Sequence, residues 1–483
     1  MGLDHASPPN ILLITLDQFR ADCMSCAGHP VVQTPALDAL AGQGVRLARH
    51  YSQAAPCSPG RAALYTGMYQ MNNRVVANGT PLDSRFDNIA HAARRAGYAP
   101  ALFGYTDQGV DPRLVHDADD PRLSTYEGVL PGFDPVLDMS GWQLPWLHWL
   151  NGHGYNFDDP IEALEREHER PAELSTSTFL TDAFLGWLGP QTQPWFAHLS
   201  YLRPHPPFSA AGHFSTMYDP ATCPSPQPIP TNRHPLVDVL LGAEVVAAPS
   251  DPVAVAHMQA QYFGMISEVD AQLARVWAVL ESRGEWNDTL IVVTADHGEQ
   301  LGDQGLIQKC GFYESSYAVL GVVRDPRFGY VGVVDDFTEN VDIMPTLCDA
   351  MGIPVPTQCD GYPLTPLLRG ERPAIWRDAA YYEWDWRDVF IPRGPHEWPW
   401  DRRLERQNLA VRRSDDRAFV HFGDGSWRCF DLAADPTWQT EVSDPEVVLA
   451  DSAAMLSWRS RNLDRTMTGM LLQDGGIGRR PVR

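Results

Sequence analysis

A continuous apolar run that ends abruptly at a charged residue is the feature that most constrains this chain. Residues 11–16 are apolar except for Thr15, and Asp17 follows at once. A run without alternation is typical of a parallel strand, because helices cover both faces of a parallel sheet. The run therefore predicts a buried parallel strand whose carboxyl end presents a carboxylate.

The same pattern recurs along the chain. Further strands are predicted at residues 99–103, 195–202 and 290–294, and each runs into a polar segment. Helical patterns lie at residues 34–43, 61–69, 86–96, 175–188 and 253–283. Alternating strands and helices predict an α/β fold, a large doubly wound and mostly parallel sheet flanked by helices. Ligands of such sheets bind beyond the carboxyl ends of the strands, where Asp17, Tyr105, His205 and Asp296 would converge.

The pattern changes after residue 365. Residues 1–365 are predicted to form the α/β catalytic domain, in which residues 107–173 and 209–251, rich in Pro, Gly, Asp and Trp, are long loops that shape the substrate pocket. Short alternating segments follow at residues 409–412, 417–422 and 427–432, with a helical pattern at 446–462. Residues 366–483 are therefore predicted to form a small α+β subdomain with an antiparallel sheet, a helix and a tail.

The charge balance limits the partners. The chain has 37 Lys and Arg against 61 Asp and Glu, a formal charge of -24, which repels nucleic acid and anionic membranes. The N-terminus has neither the basic stretch nor the apolar run of a secretory signal, and the eight cysteines are scattered without a disulfide framework. We therefore expect a cytoplasmic protein with reduced thiols that binds neither nucleic acid nor membrane.

The stretch Cys57-Ser58-Pro59-Gly60-Arg61 is the most specific motif. Pro59 suits the first turn of a helix, which places Cys57 near a helix N-terminus, where free amides favour an oxyanion. Arg61 adds a fork of donors for the same oxyanion. The alternative for an isolated match is a buried cysteine ahead of a capped helix.

A divalent metal site is predicted at Asp17, Gln18, Asp296 and His297. Two carboxylates, an amide oxygen and an imidazole suit a hard or borderline ion, Mn²⁺ or Ca²⁺, and the imidazole favours manganese. Taken alone, Asp17 could cap a strand and Asp296 could belong to a turn.

Two further residues could assist a reaction at this edge. His205 stands between prolines at a strand end, and such a stiff loop can aim an imidazole as a general acid at a departing oxygen. Lys309 could neutralise charge on the transferred group. A lone His or Lys is more often structural or solvated, so both assignments depend on the motif.

The chain resembles the sulfatase family of the alkaline phosphatase superfamily, and most of all the bacterial phosphonate monoester hydrolases and promiscuous arylsulfatases. The resemblance runs from Asn10 to about Arg465. It is carried by Cys57-Ser58-Pro59-Gly60-Arg61, Leu16-Asp17-Gln18-Phe19-Arg20, Asn73-Arg74, Asn78, Gly104-Tyr105-Thr106, Arg203-Pro204-His205-Pro206-Pro207, Asp296-His297-Gly298-Glu299 and Lys309.

The resemblance implies an alkaline phosphatase-like fold and a modified nucleophile. Cys57 would be oxidised to formylglycine by a formylglycine-generating enzyme. The aldehyde hydrate would attack sulfur or phosphorus, and one of its oxygens would also bind a single divalent metal ion. Asn78 and Tyr105 would contact the substrate. The resemblance also implies a homo-oligomer, a dimer or tetramer, that uses the C-terminal segment.

Three departures from the common sulfatase pattern matter. Many sulfatases have a second Asp where this chain has Gln18, Asn where it has His297, and a Lys-x-His pair where it has Tyr105-Thr106-Asp107. The departures match the phosphonate hydrolase branch, and fewer positive groups remain to hold a doubly charged head group. The role of Asp107 is left open.

The function expected from the resemblance is hydrolysis of small anionic esters, either sulfate monoesters or phosphonate monoesters. A dedicated phosphodiesterase of the same superfamily is the alternative. An inactive protein that captures sulfated ligands is a remote third hypothesis, disfavoured by the intact set of Cys57, Arg61, Lys309 and metal ligands.

Overall fold

The computed structural model describes residues 8–386 and 406–463 and two short strands beyond them. The strands are β1 (Asn10–Leu16), β2 (Val45–Tyr51), β3 (Ala54–Ala55), β4 (Pro100–Gly104), β5 (Asp134–Asp138), β6 (Phe196–Tyr201), β7 (Thr289–Thr294), β8 (Gly321–Arg324), β9 (Gly332–Glu339), β10 (Ala379–Asp385), β11 (Asn408–Ser414), β12 (Arg417–Phe422), β13 (Trp427–Asp431), β14 (Leu472–Gln473) and β15 (Gly476–Ile477). The helices are α1 (Pro35–Ala41), α2 (Cys57–Thr66), α3 (Gln70–Asn73), α4 (Ile89–Arg95), α5 (Ser140–Gly152), α6 (Pro160–Glu165), α7 (Thr176–Leu188), α8 (Pro235–Leu241), α9 (Pro252–Ser282), α10 (Ile343–Ala350), α11 (Thr365–Leu368) and α12 (Pro445–Arg461).

The large sheet has eight strands in the order β5-β4-β6-β1-β7-β8-β2-β9. Strand β8 is antiparallel to both of its neighbours, and the other adjacent pairs are parallel. The predicted mostly parallel sheet is confirmed. Leu16 of β1 pairs with Tyr201 of β6, and Thr15 pairs with Thr294 of β7, so three strands end at one level of the sheet edge.

The central strand β1 is buried on both faces, as its uninterrupted apolar run predicts. Leu12 and Ile14 belong to the core that includes side chains of α1, α7 and α9. Ile11 and Leu13 point to the opposite core, which includes side chains of α2, α4 and α10. Helices thus cover both faces, and the sheet is doubly wound.

A second, smaller sheet has the order β13-β12-β11-β10-β3. Strands β10 to β13 are antiparallel, and helix α12 places Trp458 against Tyr381 of β10 with the rings stacked 4.6 Å apart. The predicted small antiparallel sheet with a helix is confirmed. The fifth strand, β3, is parallel to β10 and lies just before α2, so this sheet extends to the region of Cys57.

Some sequence predictions differ from the structure or fall outside it. The segments predicted as long loops, 107–173 and 209–251, contain β5, α5, α6 and α8. Helix α5 has no regular period because Gly141, Trp142 and Gln143 have positive φ and Pro145 follows. The domain division at residue 365 stays a prediction, and most of the predicted tail after residue 463 lies outside the described residues.

Helix α9 has 31 residues, but neither it nor any other helix in the described ranges combines the length and hydropathy that a bilayer crossing requires.

Helix α2 lies so close to the end of β7 that Gly60 has no room for a side chain. A Cβ there would clash with the Asp296 carbonyl oxygen and lie 2.9 Å from that of Ala54. We expect Gly60→Ala to lower the free energy of unfolding by about 1–3 kcal/mol through overpacking. The matched control is Gly186→Ala in α7, where no atom lies within 4 Å of the new Cβ and a gain of about 0.5–1 kcal/mol is expected. Melting temperatures measured by calorimetry should move in opposite directions, and equal values would contradict the close approach of α2.

Candidate active site

Four predicted residues meet at the carboxyl edge of the large sheet. Asp17 follows β1, Asp296 and His297 follow β7, and Cys57 is the first residue of α2. All four are buried, and their ligand atoms lie within 4.8 Å of one another. The arrangement brings together side chains that are far apart in sequence.

Cys57 lies at the start of a buried helix. It is 5% exposed, and its Sγ is 3.2 Å from Nε2 of His297. Burial raises the pKa of this thiol, so the sulfur is protonated at neutral pH. Asn78, predicted to contact substrate, accepts a hydrogen bond from the Ser58 amide at 2.9 Å through Oδ1 and so holds the first turn of α2.

His297 presents a lone pair to the same centre. Its Nδ1 donates to the Gly298 carbonyl at 3.0 Å, which leaves Nε2 unprotonated in the neutral ring. Burial, together with the charge of Lys309, lowers the pKa of His297 to about 3, so the ring is neutral. A neutral imidazole whose second nitrogen bonds a carbonyl is the arrangement found in metal-ligating histidines.

The two carboxylates are suited to a cation. Asp17 Oδ1 is buried and has no hydrogen-bond partner among the described residues, a state that costs about 1–3 kcal/mol. Asp296 Oδ1 accepts from the backbone amides of Gln18, at 3.2 Å, and His297, at 3.0 Å. Burial and the neighbouring charge of Asp17 raise the pKa of Asp296 to about 6. A divalent cation would satisfy the unpartnered oxygen and remove this repulsion, so the residues present fit a metal ion.

Arg61 is fully buried and connects the carboxylates to the helix. Its Nη2 donates to Asp17 Oδ2 and its Nε donates to Asp296 Oδ2, both at 3.0 Å. Its Nη1 donates to the Tyr105 carbonyl and to Ser200 Oγ, and the guanidinium lies 4.5 Å from the Tyr105 ring centre. The fork of donors that we predicted for an oxyanion is therefore used to neutralise and fix the predicted metal ligands.

Tyr105, predicted to contact substrate, also bonds a carboxylate. Its hydroxyl donates to Asp17 Oδ2 at 2.7 Å, while the ring lines the cavity above Cys57. Ser200 was not predicted, because a serine in a strand carries no distinguishing signal.

Gln18, Lys309 and His205 form a hydrogen-bonded chain beside the four central residues. Lys309 Nζ donates to Gln18 Oε1 at 2.8 Å and to His205 Nε2 at 3.0 Å. His205 Nδ1 donates to the Pro206 carbonyl at 2.7 Å, and burial with the charge of Lys309 lowers its pKa to about 3. The Gln18 amide oxygen, predicted as a metal ligand, thus accepts from Lys309 here.

Glu299 supports this chain and was missed as a site residue. Its carboxylate accepts from the Gln18 side-chain amide and from the backbone amides of Leu301, at 2.8 Å, and Gln308, at 2.6 Å. The only signal in the sequence was its place two residues after His297.

A cavity opens above Cys57. Asp107 lines it, with φ +49° and 4% exposure, and its carboxylate lies 3.6 Å from Arg61 Nε. Burial raises the pKa of Asp107. The remaining wall is contributed by Tyr126, Glu127, Met139, Trp142, Gln143 and Leu202. Five of these six lie in the segment 107–173, predicted to shape the pocket, but none was singled out.

Two family models match the chain. The sulfatase model matches residues 9–353, and a model described as the C-terminal part of N-sulphoglucosamine sulphohydrolase matches residues 302–456.

Individual relatives agree with these models. The multifunctional alkaline phosphatase superfamily protein PehA of Trinickia caryophylli is 36% identical over 95% of this chain and 96% of its own length. An arylsulfatase of Clostridium perfringens is 26% identical over 91% of each chain. The crystal structure of a phosphonate monoester hydrolase of Agrobacterium radiobacter superposes with a TM-score of 0.89 and 41% identity, over 98% of this chain and 100% of the other. The expected alkaline phosphatase-like fold is confirmed, and the chain belongs to the sulfatase family.

Proposed function

We propose that this protein hydrolyses sulfate or phosphonate monoesters with a formylglycine made from Cys57 and a divalent cation. The observation that carries the proposal is the convergence of Asp17, Cys57, Asp296 and His297 around an unpartnered carboxylate oxygen and an unprotonated imidazole nitrogen. The family and the names of the relatives support the same chemistry.

Asp17, Asp296, His297 and an oxygen of modified residue 57 would hold the cation. Gln18 Oε1 would bind the cation only if it gave up the hydrogen bond that it accepts from Lys309. Carboxylate oxygens with one imidazole suit Mn²⁺ or Ca²⁺, and the imidazole favours Mn²⁺. When bound, such a cation supplies the positive charge that a hydroxyl of residue 57 needs to ionise near neutral pH.

The protein side chains divide the remaining work. Arg61 keeps both carboxylates ionised and oriented, because each accepts one of its donors. His205 lines the same cavity as Cys57, and Lys309 Nζ donates a hydrogen bond to His205 Nε2. Lys309 would transfer a proton to Nε2, and His205 would pass it to the departing oxygen, which is the general-acid role predicted for His205.

The modification of Cys57 can be tested by peptide mass spectrometry on protein from its native host. We expect the peptide that contains Cys57 to show the mass loss of thiol-to-aldehyde conversion, while the peptide with buried Cys348 keeps its thiol. Cys57→Ala should abolish hydrolysis of aryl sulfates and phenylphosphonate esters. An unmodified thiol in protein that hydrolyses these esters would contradict the proposal.

Metal binding gives a readout independent of activity. Added Mn²⁺ or Ca²⁺ should raise the melting temperature of metal-free protein. At a cation concentration a hundred times Kd, the free energy of unfolding should rise by about 2.7 kcal/mol. Asp17→Asn should remove most of this gain and lower the bound metal in elemental analysis, because a primary oxygen ligand is lost. The control Asp119→Asn changes an exposed carboxylate and should behave as the unmodified chain. Equal metal content in the two variants would exclude Asp17 as a ligand.

The proton donor can be tested through the leaving group. His205→Gln should lower kcat by about 10²- to 10⁴-fold for an ester of unsubstituted phenol, which needs a proton as it departs. The loss should be much smaller for a nitrophenyl ester, whose oxygen departs without one. His213→Gln, at an exposed histidine, serves as the control. An equal loss for both esters would assign His205 to positioning instead of proton donation.

A further inference from the structure

The outer wall of the catalytic cavity is acidic and aromatic. Tyr126, Glu127 and Trp142 line the same cavity as Cys57. Among the described residues that line it, His205 is the only basic one. The wall above the nucleophile therefore offers negative charge and ring faces, and lacks the Lys or Arg that would hold a second anionic group.

Glu127 fixes the aromatic part of this wall. Its Oε2 accepts the backbone amides of Gly141 and Trp142, the latter at 2.9 Å. Residues Gly141, Trp142 and Gln143 have φ of 74°, 58° and 70°, a conformation that non-glycine residues adopt only where their surroundings impose it. The turn leaves the Trp142 side chain 40% exposed at the cavity and without a ring contact to the described residues.

Asp107 is a second carboxylate that faces the cavity, from deeper inside. It is 4% exposed and accepts no hydrogen bond from the described residues, and its nearest charged neighbour is Arg61 at 3.6 Å. Burial raises the pKa of this carboxyl, and Arg61 is its ion-pair partner. It lies on a different loop from Glu127 and pairs with Arg61, so the outer wall takes its negative charge from Glu127.

We propose that the cavity accepts esters whose alcohol part carries a positive charge, such as a quaternary ammonium group. This inference rests on the proposed function and names its substrate class. The anionic head group would lie at residue 57 and Lys309, and the cation would lie against Glu127 and the faces of Tyr126 and Trp142. Carboxylates and aromatic rings together are the usual surroundings of ammonium ligands.

The net charge of the chain agrees with this assignment. The chain carries -24 at neutral pH, which opposes the approach of a purely anionic ester, whereas a zwitterionic ester has no net charge. Glu127 also lines a larger cavity of about 550 Å³, together with Asp111 and Asp138. Among the described residues, Glu127 is the one that lines both cavities.

The test uses two aryl phenylphosphonates that carry, at the same ring position, a trimethylammonio or a tert-butyl group. The groups have nearly the same shape and differ in charge. We expect Glu127→Gln to lower the ratio of kcat/KM for the zwitterionic trimethylammonio ester over the anionic tert-butyl ester about tenfold, the effect of about 1.4 kcal/mol. Glutamine keeps an oxygen acceptor for the two backbone amides. The intrinsic reactivity of the two phenols is the same with either enzyme, so the change in the ratio isolates the charge of residue 127.

Two controls accompany this comparison. Glu173→Gln removes the same charge from an exposed position outside the cavity and should leave the ratio unchanged. With the unmodified enzyme, 3-(trimethylammonio)phenol should inhibit competitively at lower concentration than 3-tert-butylphenol, and this measurement needs no variant.

An unchanged ratio in Glu127→Gln, an equal fall in Glu173→Gln, or weaker inhibition by the cationic phenol would overturn the inference. If the unmodified enzyme hydrolyses neither phenyl phenylphosphonate nor phenyl sulfate, the proposed function itself is wrong, and the substrate class fails with it.

Discussion

The buried ion-pair network of Arg61 is the interaction on which the site depends. One guanidinium, fully enclosed, satisfies an oxygen of both Asp17 and Asp296, which follow two adjacent strands. Two carboxylates in a dry interior would otherwise repel each other and carry a desolvation cost of several kcal/mol each. Because Arg61 belongs to α2, the same contacts fix the helix that carries Cys57. Nucleophile and carboxylates are thus held by a single side chain.

This network is completed by the second sheet. Strand β3 pairs with β10 two residues before Cys57, so α2 begins between the two sheets and has little freedom to shift. The smaller sheet is therefore part of the catalytic framework, although its remaining strands carry no site residue identified in the structure.

The strands that could be predicted from the sequence are those marked by a pattern of neighbouring residues. Mostly apolar runs identified β1, β4, β6 and β7, and the polar residues at their ends identified the edge where the site lies. Strands β2 and β9 were missed, since Arg46, Arg49, Asp335 and Asp336 interrupt their apolar pattern. Contacts made only in the folded chain were also beyond reach. The hydrogen bonds from Arg61 to Ser200 and from Gln18 to Glu299 join residues that are distant in sequence. The positive-φ turn at Trp142 has no pattern in the neighbouring residues that would predict it.

The pairing of Ala54 with Glu383 sets an order of events during synthesis. A ribosome adds roughly 5–20 residues per second and releases the N-terminal part first. Strand β3 can pair with β10 only after residue 383 has emerged from the ribosome. Until then the segment around Cys57 lacks its final neighbours. In the complete fold Cys57 is 5% exposed.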